Sequence, residues 1–124
     1  MILNLLKSKI HRATVTEADL HYIGSITIDE NLMNAASLYE YEKVQVLNIT
    51  NGNRLSTYVI KGPKGSGCIK INGAAAHHVK RDDLIIIVSY CHLKSEQIDN
   101  HNPAIVHVDS DNQIISIKSN ELSI

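Results

Sequence analysis

Apolar and polar residues alternate with a period of two along most of the chain, which is the pattern of half-buried β-strands. The first such segment runs from Ile2 to Val15, where aliphatic residues alternate loosely with cationic ones. The stretch "DLIIIVSY", residues 83–90, is almost continuously apolar and predicts a strand buried on both faces. Helical spacing from Glu30 to about Leu38 predicts one short helix, which Asp29 can cap.

Turn-forming residues separate these segments. Asn51 and Gly52 tolerate positive φ angles, so residues 43–61 predict a β-hairpin. The turn "GPKGSG" precedes a short strand from Cys68 to Ile71, and "NGAAAHH" combines an Asn-Gly turn with small side chains. Further along, "IDNHNP" is typical of a loop, and "AIVHVD" and "QIISIK" around "SDN" predict a final hairpin. Many short strands with one helix predict a mainly β fold, a small closed or nearly closed barrel.

The composition narrows the class of protein. A length of 124 residues fits one domain, residues 1–124, and the absence of Phe and Trp predicts an aliphatic core. The formal charge of −1 supplies no basic excess for a nucleic-acid backbone, so we expect no nucleic-acid partner.

The cysteines and the apolar segments bear on the compartment. Cys68 and Cys91 stand apart, without a CxxC pair, as reduced thiols do in a cytosol. The segment "MILNLLKSKIHRATV" lacks the features of a secretion leader, and no segment approaches the roughly 20 apolar residues of a membrane span. We therefore expect a soluble cytoplasmic protein without a membrane partner.

The dipeptide Gly24-Ser25 stands directly before the β-branched run 26–28. A serine hydroxyl held against the carbonyl of its preceding residue is positioned for an N-to-O acyl shift. Glycine on the acyl side leaves the carbonyl uncrowded and allows backbone strain at the bond. Elimination from the resulting ester would cleave the chain, and hydrolysis of the dehydroalanine would leave a pyruvoyl group at residue 25.

Other interpretations of these residues stay open. A Gly-Ser dipeptide most often marks a turn or a bulge. Seven histidines, including the adjacent His77 and His78, suggest a metal-binding protein, although they lack the spacing of known zinc motifs. A small barrel without catalytic function could also serve as an interaction module.

Three motifs in matching order give the dipeptide its context: "HRATVTEADLHYIGSITID", "TNGNRLSTY" and "INGAAAH". Together they resemble the pyruvoyl-dependent aspartate 1-decarboxylase family. The resemblance runs from Lys9 to about Tyr90, and the segment after His92 carries only a general β pattern.

The resemblance implies a six-stranded double-psi β-barrel with one or two short helices. It further implies self-cleavage into residues 1–24 and 25–124, so that the protein is made as a zymogen. The pyruvoyl group from Ser25 would form a Schiff base with L-aspartate and release carbon dioxide and β-alanine for pantothenate synthesis, with neither metal nor pyridoxal phosphate. The family is a homotetramer with active sites between subunits, and a helper protein for maturation is left open.

The resemblance also assigns residues to the decarboxylation. Tyr58 corresponds to the proton donor, a role that a phenol with a pKa near ~10 can fill at neutral pH. Lys9 and Arg54 correspond to the cations that bind the two substrate carboxylates, and His11 shares the strand face of Lys9. A packed tyrosine or a solvated charge is the alternative for each of these residues taken alone.

A second group of residues surrounds the scissile bond. Thr57 points away from Arg54 and Tyr58 by strand alternation, and we expect it near the Gly24 carbonyl, where it would assist processing or bind substrate. Asn72 is expected to hydrogen-bond near the pyruvoyl group, and Tyr22 to orient the processing site. The backbones of Gly73, Ala74 and Ala75 are expected to bind substrate. An ordinary Asn-Gly turn and strand packing are the alternatives.

Overall fold

The computed structural model describes residues 1–120, which form one sheet of nine strands with three short helices. The strands are β1 (Ile2–Thr14), β2 (Glu17–Asp19), β3 (Ser25–Asp29), β4 (Lys43–Asn48), β5 (Arg54–Gly62), β6 (Ile69–Asn72), β7 (Leu84–Lys94), β8 (Ala104–Val108) and β9 (Ile114–Lys118). The helices are α1 (Glu30–Ala35) and two 3₁₀ helices, Gly73–His77 and Ser95–Asn100. Within residues 1–120, no helix combines the length and the apolar character needed to span a membrane.

The sheet order is β2-β6-β3-β5-β4-β7-β1-β8-β9. Without β2 at one edge and the β8–β9 hairpin at the other, six strands remain between β6 and β1. Thr16, just beyond the end of β1, joins these two outer strands: its N–H donates to the Ile69 carbonyl at 2.8 Å, and its Oγ1 accepts from the Ile69 N–H at 3.0 Å. The structure thus adds three short strands to a six-stranded ring, which accounts for nine strands where the resemblance implies six.

One continuous core fills this ring. Ile10 of β1, Ile26 of β3, Val46 of β4, Ile69 of β6 and Ile87 of β7 are all at most 1% exposed and belong to a single apolar cluster. Strands that lie far apart in the sheet order can share one core only if the sheet curls around it. The expected mainly β, aliphatic fold is therefore confirmed.

Most predicted elements lie where the pattern puts them. Asp29 caps α1, since its side chain accepts from the Asn31 N–H at 2.8 Å, although the helix ends at Ala35 rather than near Leu38. The hairpin of β4 and β5 and the final hairpin of β8 and β9 are both antiparallel, as predicted. Strand β7 is buried on both faces only around Ile87–Ser89 and becomes exposed toward its end.

Two local predictions need correction, and one strand was not predicted. The stretch 73–77, predicted as an Asn-Gly turn, forms a 3₁₀ helix, and so does the stretch 95–100, part of which was predicted as loop. Strand β2 escaped prediction because it has only three residues and gains its hydrogen bonds from the distant β6.

Candidate active site

The Gly24-Ser25 bond lies where β3 begins, beside the end of β6. Ser25 and Asn72 are directly opposite each other in the antiparallel β3–β6 pair. Ser25 is 2% exposed and Asn72 is completely buried. The Asn72 Nδ2 donates to Ser25 Oγ at 2.8 Å and to Thr27 Oγ1 at 3.0 Å. The serine hydroxyl is thus buried and held in one place, as a built-in nucleophile requires.

The other end of the Asn72 amide has no partner within the described residues. Its Oδ1 is buried and accepts no hydrogen bond there. An unsatisfied buried acceptor costs about 1–3 kcal/mol, so proteins retain one mainly where it serves a function. This oxygen belongs to the amide that binds the Ser25 hydroxyl, and it can accept a hydrogen bond from a donor that forms during a reaction at residue 25.

Gly73 packs directly against the scissile segment. A Cβ at position 73 would lie 2.7 Å from the Gly24 Cα, 2.9 Å from the Gly24 nitrogen and 3.1 Å from the Tyr22 carbonyl oxygen. Its φ of +70° also favours glycine. The second residue of the "NG" motif is therefore glycine because the backbone before Ser25 approaches it closely.

Gly24 itself is under no such constraint. A Cβ at this position would meet no atom of the described chain within 4 Å, and its φ lies outside the left-handed range. The φ of Gly24 therefore adds no left-handed strain, and strain at the Gly24-Ser25 bond stays a prediction. Neither the fold of one chain nor its packing requires glycine here, which leaves the chemistry of the bond or contact with another molecule as the reason.

A cavity of about 290 Å³ opens beside Gly24. Thr57, Asn72, Ala74 and Ala75 line it, so the structure gathers most residues expected around the scissile bond. Thr57 follows Leu55 on the side of β5 that packs toward the core, whereas Arg54 is exposed. The alternation predicted for Thr57 is correct, and the residue shares a cavity with Gly24 as expected.

His78 also lines this cavity, whereas its position in the sequence suggests only a metal ligand. Its backbone carbonyl accepts hydrogen bonds from the side-chain amides of Asn48, Asn51 and Asn53, at 3.2, 3.0 and 3.4 Å. These bonds fix the end of the Gly73–His77 helix against the β4–β5 turn. The asparagines of "TNGN" thus have a structural role besides forming the turn, and their repetition is the signal that could have indicated it.

Arg54, Tyr58 and Lys9 occupy the outer face of the barrel. Cross-strand pairing places four residues in one row on this face: Lys9, Val88, Gln45 and Ser56. Arg54 and Tyr58 flank Ser56 on the same side of β5. Three strand spacings separate the two ends of the row, a path of roughly 14 Å along the curled sheet. In a six-stranded ring β1 and β5 lie opposite each other, so Lys9 points away from the barrel on the side opposite to Arg54 and Tyr58.

One chain therefore does not bring all the expected site residues together. By strand alternation Thr57 lies on one side of β5 and Arg54 and Tyr58 on the other. Ser56, between Arg54 and Tyr58, nevertheless also lines the cavity beside Gly24, so this cavity reaches the edge of the outer face. His11 is farther away, on β1, where its ring contacts that of His107 edge to face at 5.4 Å. Tyr22 precedes the scissile bond, and its exposed ring lies 4.5 Å from the Lys70 ammonium nitrogen.

The thiols and histidines form no metal centre in the part of the chain that the structure describes. No group of three His, Cys, Asp or Glu side chains there is arranged to hold a metal ion. Cys68 and Cys91 are free thiols, and burial raises the pKa of Cys68. His77 and His78 follow each other at the end of a 3₁₀ helix rather than on a strand.

Comparison with known proteins agrees with this arrangement. The profile of the family described as aspartate decarboxylase matches residues 1–115. A protein of Caldicellulosiruptor bescii named aspartate 1-decarboxylase is 61% identical over 98% of this chain and 94% of its own length. Proteins of the same name from Acetivibrio thermocellus and Clostridium kluyveri are 60% and 55% identical over 98% of the chain, and over 96% and 95% of their own lengths. The chain belongs to the aspartate decarboxylase family of enzymes.

Proposed function

We propose that this protein converts L-aspartate to β-alanine and carbon dioxide after cleaving itself between Gly24 and Ser25. The observation that carries the proposal is the buried Ser25 hydroxyl, fixed by Asn72 beside the Gly24 carbonyl. A free hydroxyl in solution is a poor nucleophile, but fixed proximity of this kind is worth several kcal/mol of barrier.

The cleavage requires no external oxidant or cofactor. Ser25 Oγ bonds to the Gly24 carbonyl carbon, the C–N bond breaks, and the hydroxyl proton passes to the freed amine. In the elimination, the Ser25 Cα loses its proton and the bond between Ser25 Cβ and Oγ breaks, so the Gly24 carboxylate leaves. This step creates a new chain end at residue 24 and dehydroalanine at residue 25. Water then hydrolyses the dehydroalanine: an oxygen replaces the nitrogen on Cα, and ammonia is released. Thr57, in the same cavity as Gly24, can donate to the oxyanion of the first step.

The site fits the resulting pyruvoyl group. The unpaired Asn72 Oδ1 and the adjoining cavity of about 290 Å³ lie where that group and the amine of a small substrate would meet. When present, the pyruvoyl ketone supplies an electron sink for loss of a carboxylate. Ala74 and Ala75 line the same cavity, and we propose that their backbone groups orient the substrate. Tyr58 would return a proton to the product carbon.

The substrate has two carboxylates, whereas no Lys, Arg, Asp or Glu among residues 1–120 lines the cavity beside Gly24. The cations suited to them, Arg54 and Lys9, lie on the outside of the barrel, Arg54 beside Tyr58 on β5 and Lys9 three strands away on β1. A second copy of the chain can present its outer face to the cavity of the first. We therefore propose active sites between subunits of a homotetramer, each using Ser25 of one chain and Arg54 and Tyr58 of its neighbour.

Mass spectrometry of the purified protein tests the self-cleavage. We expect fragments 1–24 and 25–124, with the larger fragment lighter by one ammonia than a hydrolytic fragment that begins with serine. The Ser25→Ala chain should remain intact and produce no β-alanine. An intact wild-type chain with full decarboxylase activity, or a larger fragment that keeps its amino-terminal serine, would contradict the proposal.

Mixed oligomers test the shared site. Ser25→Ala chains lack the pyruvoyl group but keep Tyr58, and Tyr58→Phe chains have the reverse defect. Coexpressed, the two inactive variants should regain activity, because an interface can combine the intact face of one with the pyruvoyl group of the other. Coexpression of Arg54→Ala with Tyr58→Phe is the matched control: both lesions lie on the same face, so we expect no recovery. Equal decarboxylase activity of the two coexpressed pairs would reject an active site shared between subunits.

The cellular setting is part of the same proposal. Free Cys68 and Cys91 thiols fit a reducing compartment, and we propose that the enzyme works in the cytoplasm. There the β-alanine would supply pantothenate and coenzyme A synthesis.

A further inference from the structure

A network of polar side chains outside the proposed chemistry surrounds Glu42. The Lys7 ammonium lies 2.9 Å from Oε1 and 2.8 Å from Oε2 of this carboxylate. The Ser89 hydroxyl donates to Oε2, and the Tyr39 backbone N–H donates to Oε1 at 3.0 Å. The side chains of Lys7 and Glu42 are only 22% and 19% exposed. Glu42 thus ties the segment before β4 to both β1 and β7.

The backbone of the segment before β4 also forms hydrogen bonds to both backbone polar groups of Val59, the residue after Tyr58. The Val59 N–H donates to the Glu42 carbonyl at 3.0 Å, and the Tyr41 N–H donates to the Val59 carbonyl at 2.7 Å. Lys43 then pairs directly with Tyr58 in the β4–β5 ladder. The position of Tyr58 along β5 therefore depends on the segment that Glu42 anchors.

Tyr41 shows that this anchoring has an energetic cost. Its φ is 72°, in the left-handed region, where a residue with a side chain loses about 1–2 kcal/mol. Such a conformation persists only when the surrounding contacts hold it. The exposed Tyr41 ring is thereby placed 6.5 Å from the Tyr58 ring, centroid to centroid, at an angle of 39°.

We propose that Glu42 and Tyr41 are positioning residues: Glu42, bound by Lys7 and Ser89, holds the strained Tyr41 backbone, and the Tyr41 ring fixes the orientation of Tyr58. The inference rests on the proposed role of Tyr58 as proton donor. Burial acts to raise the pKa of Glu42, but the hydrogen bonds from Lys7, Ser89 and the Tyr39 N–H, together with the charge of Lys7, lower the pKa below its ordinary value. The carboxylate is therefore ionised at the pH of turnover.

Glu42→Gln tests the anchor. An amide in place of the carboxylate turns a donor toward Lys7 or Ser89, so the segment should loosen. Displacements near 1 Å can cost up to about 100-fold in rate, and we expect kcat to fall by at least about ten-fold while KM changes by less than about two-fold. Glu40→Gln is the matched control, because Glu40 bonds only the Lys61 N–H, at 3.0 Å, among the contacts described for it. It should leave kcat unchanged.

Tyr41→Gly separates positioning from a structural role. Glycine adopts a φ of 72° without strain, so this variant should unfold at the same or a higher urea concentration than the wild type. Turnover should nevertheless fall, because the ring beside Tyr58 is gone. A variant that keeps both its stability and its kcat would overturn the role of Tyr41.

A double variant asks whether Glu42 acts through Tyr58. In a Tyr58→Phe background, Glu42→Gln should cause no further loss of kcat. An undiminished ten-fold loss in that background would overturn the inference. Full activity of Tyr58→Phe alone would instead reject the proposed function of Tyr58, and the positioning claim would then be decided by spectroscopy.

The spectroscopic measurement does not depend on activity. The chain has five tyrosines and no tryptophan, so fluorotyrosine labelling gives few ¹⁹F resonances, and Tyr58→Phe assigns that of Tyr58. In the uncleaved Ser25→Ala chain, Glu42→Gln should shift or broaden the Tyr58 resonance, and Glu40→Gln should not. An unchanged Tyr58 resonance in the Glu42→Gln chain would overturn the proposal whatever the kinetics show.

Discussion

Replacing Gly73 by alanine should damage both the fold and the self-cleavage, because the new methyl group would collide with the backbone of Gly24. The contacts would be 2.7 Å to the Gly24 Cα and 2.9 Å to its nitrogen, shorter than a real Cβ tolerates. Both atoms belong to the main chain, so no side chain can rotate away. Either the Gly73–His77 helix or the segment before Ser25 must move.

Two terms set the size of the effect. An alanine at a φ of +70° costs about 1–2 kcal/mol of backbone strain. Forcing a methyl group into a filled space costs about 1–3 kcal/mol more. Gly52→Ala isolates the first term, because Gly52 has a φ of +80° but a Cβ there would meet no atom within 4 Å. The two variants should thus differ by about 1–3 kcal/mol, which is the contact term alone.

The stability assay uses urea denaturation of uncleaved Ser25→Ala chains at one protein concentration, since processing and oligomer formation would otherwise shift the midpoint. The processing assay uses the native serine and follows the cleaved fraction by mass. We expect cleavage of the Gly73→Ala chain to slow by roughly 100-fold, as a displacement near 1 Å would cause, and that of Gly52→Ala to be normal. Equal midpoints for the two variants, or normal cleavage of Gly73→Ala, would refute the reasoning.

Three further predictions concern groups outside the scissile segment. Asp29→Asn should lower the free energy of unfolding, measured in urea, by about 2–3 kcal/mol. The buried carboxylate accepts hydrogen bonds from three backbone amides, one in α1 and two in the 62–67 turn. An unchanged urea midpoint would contradict this prediction. Because the pKa of Glu42 is lowered in the folded state, its carboxylate stabilises the fold at pH values above its ordinary pKa of 4.5. That stabilisation is lost as the pH falls through the folded-state pKa. The deficit of Glu42→Gln should therefore shrink with acidification below pH 4.5, and a constant deficit would exclude the ionic contribution. Burial raises the pKa of Cys68, which lowers its thiolate fraction. At pH ~8, iodoacetamide should therefore modify Cys68 more slowly than a small free thiol with a pKa near ~8.5. Equal rates of modification would contradict the burial of Cys68.

Local sequence patterns predict those parts of the fold whose causes are local. The β4–β5 hairpin follows from alternation on either side of Asn51 and Gly52, and the start of α1 follows from the capping carboxylate of Asp29. The alternation along β5 also correctly separates Thr57 from Arg54 and Tyr58. In each case the decisive interaction lies within a few residues along the chain.

Features that depend on distant partners could not be predicted in this way. The requirement for Gly73 comes from the backbone of Gly24, across the β3–β6 pair. Glu42 gave no signal, because its partners Lys7 and Ser89 are 35 and 47 residues away. The row that runs from Lys9 to Ser56 depends on the registers of three strand pairs, which alternation within one strand cannot supply.

The division of β5 into two faces links the fold to both stages of the proposed chemistry. The groups proposed for self-cleavage, Ser25, Asn72 and Thr57, gather around one scissile bond within a single chain. The groups proposed to bind and protonate the substrate, Arg54 and Tyr58, lie behind the same strand and need a neighbour's cavity. Thr57 and Tyr58 are consecutive residues, so in this proposal alternation directs one toward maturation and the other toward turnover. The proposal thus makes the single chain the unit of processing and a pair of chains the unit of catalysis.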